Sequence, residues 1–429
     1  MDQTAIGKVE AGFARADLIV SPADGEILRP VAERVAKIAS SAAMAEKRKL
    51  WKDHNALKKG RPLVFCDPEM GWNEVVTEDQ MQCQGKLARA WEMDLRKEIF
   101  WAEEMKDDKP LDPFFEIPYS VTPDDWGLKE TQIKTEQMGS FRWEAPLRDY
   151  EKDLPKIHSP QLKIDWKTTK GCRELAKNIF AGILPVRLKG VWWWSLGLTQ
   201  PLVFLRGLEN MLFDFLDHPQ ELKQLLAIIS QGQMQKLDYL EEHNLLSLNN
   251  DSTYVGSGGF GNSNELPAGD FSGDIRCKDL WGFAESQETV NVSPEMYEEF
   301  IFPFEKPILD RFGLNCYGCC EPLHKRWPVV KKHKSLRRVS VSAWADQGKM
   351  AEFLEDKYIF SYKPSPAVLA NPKVDWEGVR QDLRRSLEIT RGCVVEIIMK
   401  DNHTICNRPE NLTEWCRIAK EESEKAVKD

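Results

Sequence analysis

No stretch of this 429-residue chain is apolar for long enough to span a membrane, and no apolar segment near its amino end acts as a signal peptide. A basic excess is missing as well. Lys and Arg number 59 against 68 Asp and Glu, a formal net charge of −9, so the electrostatic footprint that nucleic acid or an anionic membrane requires is absent. The basic clusters at 47–49 and 331–338 read as solvated faces. There is no internal repeat, coiled coil or low-complexity segment. The one Gly-rich run, Gly256-Ser-Gly-Gly-Phe-Gly, opens no obvious helix and does not make a phosphate cradle. Ten cysteines at irregular spacing, with no signal segment, predict a reduced cytoplasmic protein rather than a disulfide scaffold.

What is present is alternation. Short apolar runs at 63–66, 114–119, 189–194, 245–251, 313–318, 336–342, 358–362 and 393–400 predict strands. Helical periodicity separates most of them, at 77–106, 201–216, 219–243, 294–311, 350–355, 375–390 and 409–425. Strands alternating with helices imply a parallel sheet, and eight such units over this length predict an α/β protein with a closed (β/α)8 TIM barrel. Residues 1–60 read as an N-terminal helical extension and 61–429 as the barrel. Two long connections, 121–170 and 254–293, are expected to be lids or binding loops over the mouth.

The stretch 311–327, Arg-Phe-Gly-Leu-Asn-Cys-Tyr-Gly-Cys-Cys-Glu-Pro-Leu-His-Lys-Arg-Trp, places three thiols, a carboxylate and an imidazole where the fifth strand ends. If the extended conformation persists, Tyr317, Cys319 and Glu321 share one face, and Cys316, Gly318 and Cys320 share the other. A thiolate and a carboxylate on one face make a pair of metal ligands; the competing reading is that free cysteines are small buried hydrophobes. Cys319-Cys320 is not a paired Cys-x-x-Cys motif. The last strand runs into Lys400, Asp401, His403 and Cys406, and in a barrel its end lies across the mouth from strand five. Cys319, Glu321, His403 and Cys406 would then give sulfur, oxygen, nitrogen and sulfur to one zinc ion, against the alternative that His403 caps a turn and Cys406 packs under the last helix.

Other strand ends contribute Asp67, Glu69, Glu116, Tyr119, Asp251, Ser340, Ser342, Asp346 and Lys363. Fifteen tryptophans are a heavy load. Trp192, Trp193 and Trp194, with Trp126, Trp143, Trp281 and Trp344, fall where a barrel mouth is expected and would suit a flat aromatic or apolar substrate. Any single one of them is equally at home in a core.

The strand ending Tyr-Gly-Cys-Cys-Glu-Pro, the stretches Asn250-Asp-Ser-Thr-Tyr-Val-Gly-Ser-Gly-Gly and Leu280-Trp-Gly-Phe-Ala-Glu-Ser-Gln-Glu, and the closing strand before Lys400-Asp-Asn-His-Thr resemble the uroporphyrinogen decarboxylase superfamily. Within it they resemble the cobalamin-dependent methyltransferase branch, which includes O-demethylase components. The resemblance spans 62–419, with its specific motifs from Asn250 onward. The Arg-Gln-Ala-Gly-Arg stretch of the decarboxylases is missing. The branch's His-x-Cys is Tyr317-x-Cys319 here, so Cys319 matches the motif and the histidine does not.

The resemblance implies a zinc-dependent methyltransferase that moves a methyl group between a small substrate and the corrinoid (cobalamin) of a separate carrier protein. The tryptophans favour O-demethylation of a methoxylated aromatic donor. Cys319, Glu321, His403 and Cys406 are then expected to hold zinc. Asp251, Tyr254, Tyr317 and Lys363 would orient the substrate oxygen or supply its proton, and Trp192, Trp193, Trp194, Trp281 and Trp344 would line the pocket. The alternatives are methylcorrinoid-to-thiol transfer, and a metal-free barrel that binds a tetrapyrrole or acts like a decarboxylase. No nucleic acid or membrane partner is expected. A homo-oligomer stays open, because Pro303 and Phe304 suit a core or an interface equally.

Overall fold

A computed structural model describes residues 18–122, 126–128, 131–134 and 141–426. The first 17 residues of the expected extension, part of the expected 121–170 connection and the last three residues of the expected barrel lie outside the described residues.

Buried apolar runs form the strands. β1 (Leu63–Cys66), β4 (Trp281–Ala284), β5 (Leu314–Tyr317), β6 (Leu336–Val341), β7 (Ile359–Tyr362) and β8 (Val394–Met399) make one six-stranded parallel sheet in the order β1-β8-β7-β6-β5-β4. Nearly every residue in them is buried, as in a parallel sheet covered on both faces. β2 (Phe115–Ile117) and β3 (Val186–Leu188) form a separate parallel pair. The protein is mixed α/β, and among the described residues no ladder joins the pair to the six-stranded sheet, so strand pairing does not close a ring.

The fourth strand differs from the expectation. It is Trp281–Ala284, and residues 245–251 carry no ladder. That segment is held by side chains instead: Gly190 N donates to Ser247 Oγ at 2.8 Å, and the Asn249 amide both accepts from Trp281 N (2.9 Å) and donates to Trp281 O (3.0 Å). An asparagine side chain satisfies the backbone polar groups that a neighbouring strand would otherwise take. The third strand also ends earlier than expected, at Leu188, which leaves the tryptophan run beyond it.

The amino-terminal helices are integral to the fold. α1 (Pro22–Ala39) starts where Ser21 Oγ accepts from Asp24 N, and it buries Leu28, Ala32 and Val35 in a core with Trp91, Phe115, Ile117 and Phe180. α2 (Ala42–Asn55) follows and buries Met44, Trp51, His54 and Asn55. Its Trp51 is fully buried and donates Nε1–H to Asp108 O at 2.7 Å. Its Asn55 donates to the carbonyls of Phe260 and Asn262, both at 2.8 Å.

His54 of α2 reaches Glu396 in the middle of β8, with Nε2 3.1 Å from Oε2. Arg338 of β6 lies 3.0 Å from the same carboxylate, and Ser361 of β7 donates to it. All four residues are buried, so the interior carries a paired ion network in which each charge has partners.

The Gly-rich run fills the interior above this network. Tyr254 bridges Phe260, which makes 254–260 a tight hairpin. A β-carbon on Gly256 would lie 2.7 Å from Cys316 Cβ, one on Gly258 2.5 Å from Ile398 Cγ2, and one on Gly259 2.8 Å from Arg338 Cζ. The glycines are there because backbone lies directly against β5, β6 and β8.

Candidate functional site

Three carboxyl-terminal strand ends and the hairpin tip converge on Lys400. β8 ends at Met399 and delivers Lys400; β1, paired with β8 through Cys66 and Met399, delivers Asp67 and Glu69; β5 delivers Cys319. Lys400 Nζ is 3.9 Å from Cys319 Sγ, 3.3 Å from Ser257 Oγ, 3.8 Å from Glu69 Oε1 and 3.5 Å from Asp401 Oδ1. Lys400 and Cys319 are buried, whereas Glu69, Asp401 and Cys320 are half-exposed, so the cluster opens to solvent on that side. Glu69 and Asp401, flanking Lys400, both sit in the left-handed backbone region at φ 47° and 61°. Side-chain-bearing residues hold that conformation only where the surroundings impose it, and functional sites are where such strain gathers.

Gly318 brings Cys319 there. Its φ of +92° ends the strand alternation after Tyr317. Tyr317 therefore points into the helix layer, where its hydroxyl lies 2.6 Å from Tyr297 Oη and 2.9 Å from Glu305 Oε1. Cys319 turns the other way, into the interior. Of the expected common face, Tyr317 and Glu321 still share Ser286, whose hydroxyl accepts from Tyr317 (3.3 Å) and donates to Glu321 (3.4 Å), whereas Cys319, next to the left-handed Gly318, is turned away from both. Tyr317 is a buried structural hydroxyl and does not meet the site.

The electrostatics follow from burial and neighbours. The Cys320 thiol, 3.7 Å from Cys319 Sγ, holds the Cys319 thiol below its ordinary value; burial opposes this and Lys400 adds to it. Cys320 is raised in turn. Burial works against the Lys400 charge, yet Cys319, Tyr254, Asp401 and Glu69 together raise its pKa well above normal. Glu69 is pushed up to about 8, chiefly by burial and also by Asp67 and Asp401, against the pull of Lys400. Asp67 is raised by burial as well. Burial likewise raises Tyr254 well above a phenol's usual value, with Lys400 opposing. The cluster thus gathers a carboxyl and a phenol pushed up, a lysine raised and a thiol lowered, all around one partly open space.

The expected zinc ligands do not come together. Glu321 is buried but turns back, accepting from Ser286 N (2.9 Å) and from Cys319 N (2.8 Å), so it braces the loop that carries Cys319. His403 is exposed, its Nδ1 3.2 Å from the Met70 sulfur. Cys406 directs its thiol to Ala370 O at 3.0 Å. Among the described residues no three His, Cys, Asp or Glu side chains form a group able to hold a metal ion, so the donor set does not fit the expected zinc.

Of the other expected residues, Tyr254 meets the cluster and Asp251 does not. The Asp251 carboxylate is held by Arg187 (2.6 Å) and Lys189 (3.2 Å); burial would raise its pKa, and Lys189, Thr253 and Arg187 lower it. Lys363 lies within electrostatic reach of Lys400 and Cys319, bound to Ser361, and burial lowers it to about 8.

The tryptophans disperse. Trp192 donates to Leu245 O at 2.8 Å and packs on Tyr119, Trp193 meets Phe312 and Trp194 meets Phe283. Trp281, at the start of β4, is 1% exposed under the Arg338 guanidinium, and Trp344 is 79% exposed at the surface. They do not line one pocket.

Ser257 is the site residue that sequence reasoning missed. Its signal was a single hydroxyl among glycines, which reads as a loop until the glycines are seen to press that loop into the interior.

No protein-family model matches the chain, and no curated protein matches it. Among solved structures, a methyltransferase from Methanosarcina mazei is similar, at 11% sequence identity and a TM-score of 0.49, over 87% of this chain and 97% of that chain. Among the described residues no helix is long and apolar enough to cross a membrane.

Proposed function

We propose that this chain is a methyltransferase that takes the methyl group from a small methoxylated compound, an aromatic ether being the favoured donor, and passes it to a corrinoid bound on a separate carrier protein. The observation that carries this reading is the cluster at the strand ends: Glu69, its carboxyl pushed up to about 8 chiefly by burial, stands 3.8 Å from Lys400 Nζ, with Tyr254 in the same cluster. An ether gives up its methyl group only if the departing oxygen is stabilised, and a positioned acid with a pKa near neutrality does this best. The corrinoid supplies reduced cobalt as the methyl acceptor.

The residues of this chain act on the oxygen. Lys400 attracts the charge that develops there as the carbon–oxygen bond breaks, in a site where burial strengthens that attraction. Glu69, half-exposed at the opening, gives its proton to the oxygen, and Tyr254 offers a second hydroxyl. Asp67 fixes Glu69 by accepting from its backbone N–H at 2.9 Å. No step runs through a metal held by Cys319, Glu321, His403 and Cys406, since those residues do not converge.

The test is methyl transfer from a series of methoxybenzoates to free cob(I)alamin standing in for the carrier, followed by cobalt absorbance and phenol release. Wild-type protein should form both products, and Glu69→Gln should slow them by about 10²-fold, the lower end of what a general acid contributes. Absence of transfer from every methoxylated donor, or rates unaffected by both Glu69→Gln and Lys400→Met, overturns the reading.

A further inference from the structure

Cys320 has no part in the reaction above, yet it is the sulfur most open to solvent in the cluster. Its Sγ lies 3.7 Å from Cys319 Sγ and 3.8 Å from Asp401 Oδ2. Consecutive side chains on an extended chain point to opposite sides. Here both sulfurs turn to the same side, because the chain bends from Gly318 to Glu321. Cys319 is 2% exposed and Cys320 half-exposed, so one sulfur sits against Lys400 and Ser257 while its neighbour faces the opening. Two sulfurs this close, one of them at the opening through which a molecule as small as peroxide can enter, can act as a reacting and a resolving thiol.

We propose that Cys319 and Cys320 are a peroxide-responsive pair that closes into a vicinal disulfide and is reopened by a dithiol. The Cys319 sulfur attacks one oxygen of hydrogen peroxide, the oxygen–oxygen bond breaks, and the departing hydroxide takes up a proton as water; Cys319 is left as a sulfenic acid. The Cys320 sulfur then attacks the Cys319 sulfur, the sulfur–sulfur bond forms, and the sulfenic oxygen leaves as a second water with the Cys320 proton. Two thiols and one peroxide become one disulfide and two waters, with two electrons passing from sulfur to oxygen.

Adjacent α-carbons are about 3.8 Å apart, below the roughly 4.4–6.8 Å that disulfides usually span. A bridge between neighbours is therefore strained and belongs to the readily reduced class. Closing it draws the Cys319 sulfur away from Lys400 and Ser257, so the oxidised chain has an altered site and the reduced chain regains it.

The experiment uses the intact wild-type chain, treated with hydrogen peroxide, then denatured, alkylated and mapped by mass spectrometry, so it does not depend on methyl transfer. The expected result is loss of two alkylatable thiols, at Cys319 and Cys320, both recovered with dithiothreitol, while Cys316 in the same peptide stays alkylatable. Cys320→Ser should stop at a sulfenic acid on Cys319 that dimedone captures. Oxidation of Cys406 with Cys319 and Cys320 still free, a bond from Cys316 to Cys319, or a Cys320→Ser protein without a dimedone adduct would each overturn the proposal.

Discussion

The hydroxyl of Ser257 lies 3.3 Å from the sulfur of Cys319, donating to it, although 62 residues separate them in the chain. Ser257 reaches that sulfur because Gly256, Gly258 and Gly259 let the hairpin backbone rest on β5, β8 and β6. The interior of the sheet is thus filled by a loop whose only polar tip is aimed at the strand-end cluster.

Adding a single methyl group to that loop should therefore disturb both packing and site. Gly258→Ala puts a β-carbon 2.5 Å from Ile398 at a φ of +134°, and overpacking of this kind costs roughly 1–3 kcal/mol, with backbone strain in addition. Gly25→Ala, inside α1 with nothing within 4 Å, should instead stabilise by about 0.5 kcal/mol. Urea unfolding of the two variants against wild type tests the contrast; equal midpoints would mean that the hairpin is not packed as described.

Glu69 should make stability, and the proposed methyl transfer with it, fall with rising pH. Its pKa in the folded protein is about 8, above the ordinary 4.5. Between those values the folded state holds a proton that the unfolded state has released, so stability declines as pH rises from about 4.5 to about 8 and levels off beyond. Turnover that needs the Glu69 proton drops through the same upper limit. Glu69→Gln should lose both the stability decline between about 4.5 and 8 and the fall in rate near 8, which thermal melts and rate profiles from pH 5 to 9 would show.

Much of the frame was legible in the sequence. The runs that became β1, β5, β6, β7 and β8 are short, apolar and followed by polar residues, as buried parallel strands must be. The fourth strand was not legible, because Trp281-Gly-Phe-Ala is too short a run to stand out from its Gly-rich surroundings, while 245–251 has the apolar pattern of a strand and uses side-chain bonds in place of a ladder. Lys400, Glu69 and Asp67 could be read as strand-end residues. Their meeting with Cys319 could not, since it depends on a left-handed Gly318 that reverses the alternation placing Tyr317 beside Cys319. The four expected ligands stay apart for a related reason: Cys406 follows Asp401 at φ 61° and itself sits at φ 59°, so the chain after β8 does not continue in a direction that strand parity predicts.

Glu396 should govern acid stability. Burial would raise its pKa, but Arg338, His54 and Lys363 hold it at about 2, below the ordinary 4.5. A depressed carboxylate contributes stability that is fully present above about 4.5 and is lost as pH falls toward about 2, on the order of 3 kcal/mol for such a shift. Glu396→Gln removes the partner of a buried guanidinium, which costs about 3–5 kcal/mol at neutral pH, and should flatten the loss of stability below pH 4.5. Urea midpoints measured from pH 2.5 to 7 check both expectations.

His403 and Cys406 should be dispensable for metal content. One contacts the sulfur of Met70 and the other the carbonyl of Ala370, and among the described residues neither joins Cys319 in a group able to hold a metal ion. His403→Ala and Cys406→Ala should carry the same amount of zinc as wild type by elemental analysis, whatever that amount is. A loss of zinc in both would restore the four-ligand centre and require the segment after β8 to fold back toward Cys319.

The tryptophans separate into two energetic classes that substitution can measure. Trp281 is enclosed by the hairpin and by Arg338, its Nε1–H donating to Gly261 O at 2.9 Å. Trp281→Ala would leave a cavity, an unpaired carbonyl and an uncovered guanidinium, and should cost about 3–5 kcal/mol. Trp344, 79% exposed, has little to lose, and Trp344→Ala should fall within about 0.5 kcal/mol of wild type. If Trp344 nevertheless stacks a donor ring, the same substitution would raise KM for methoxybenzoates without moving the unfolding midpoint. Measuring KM and urea midpoint together on the two variants distinguishes a core tryptophan from one that meets the substrate.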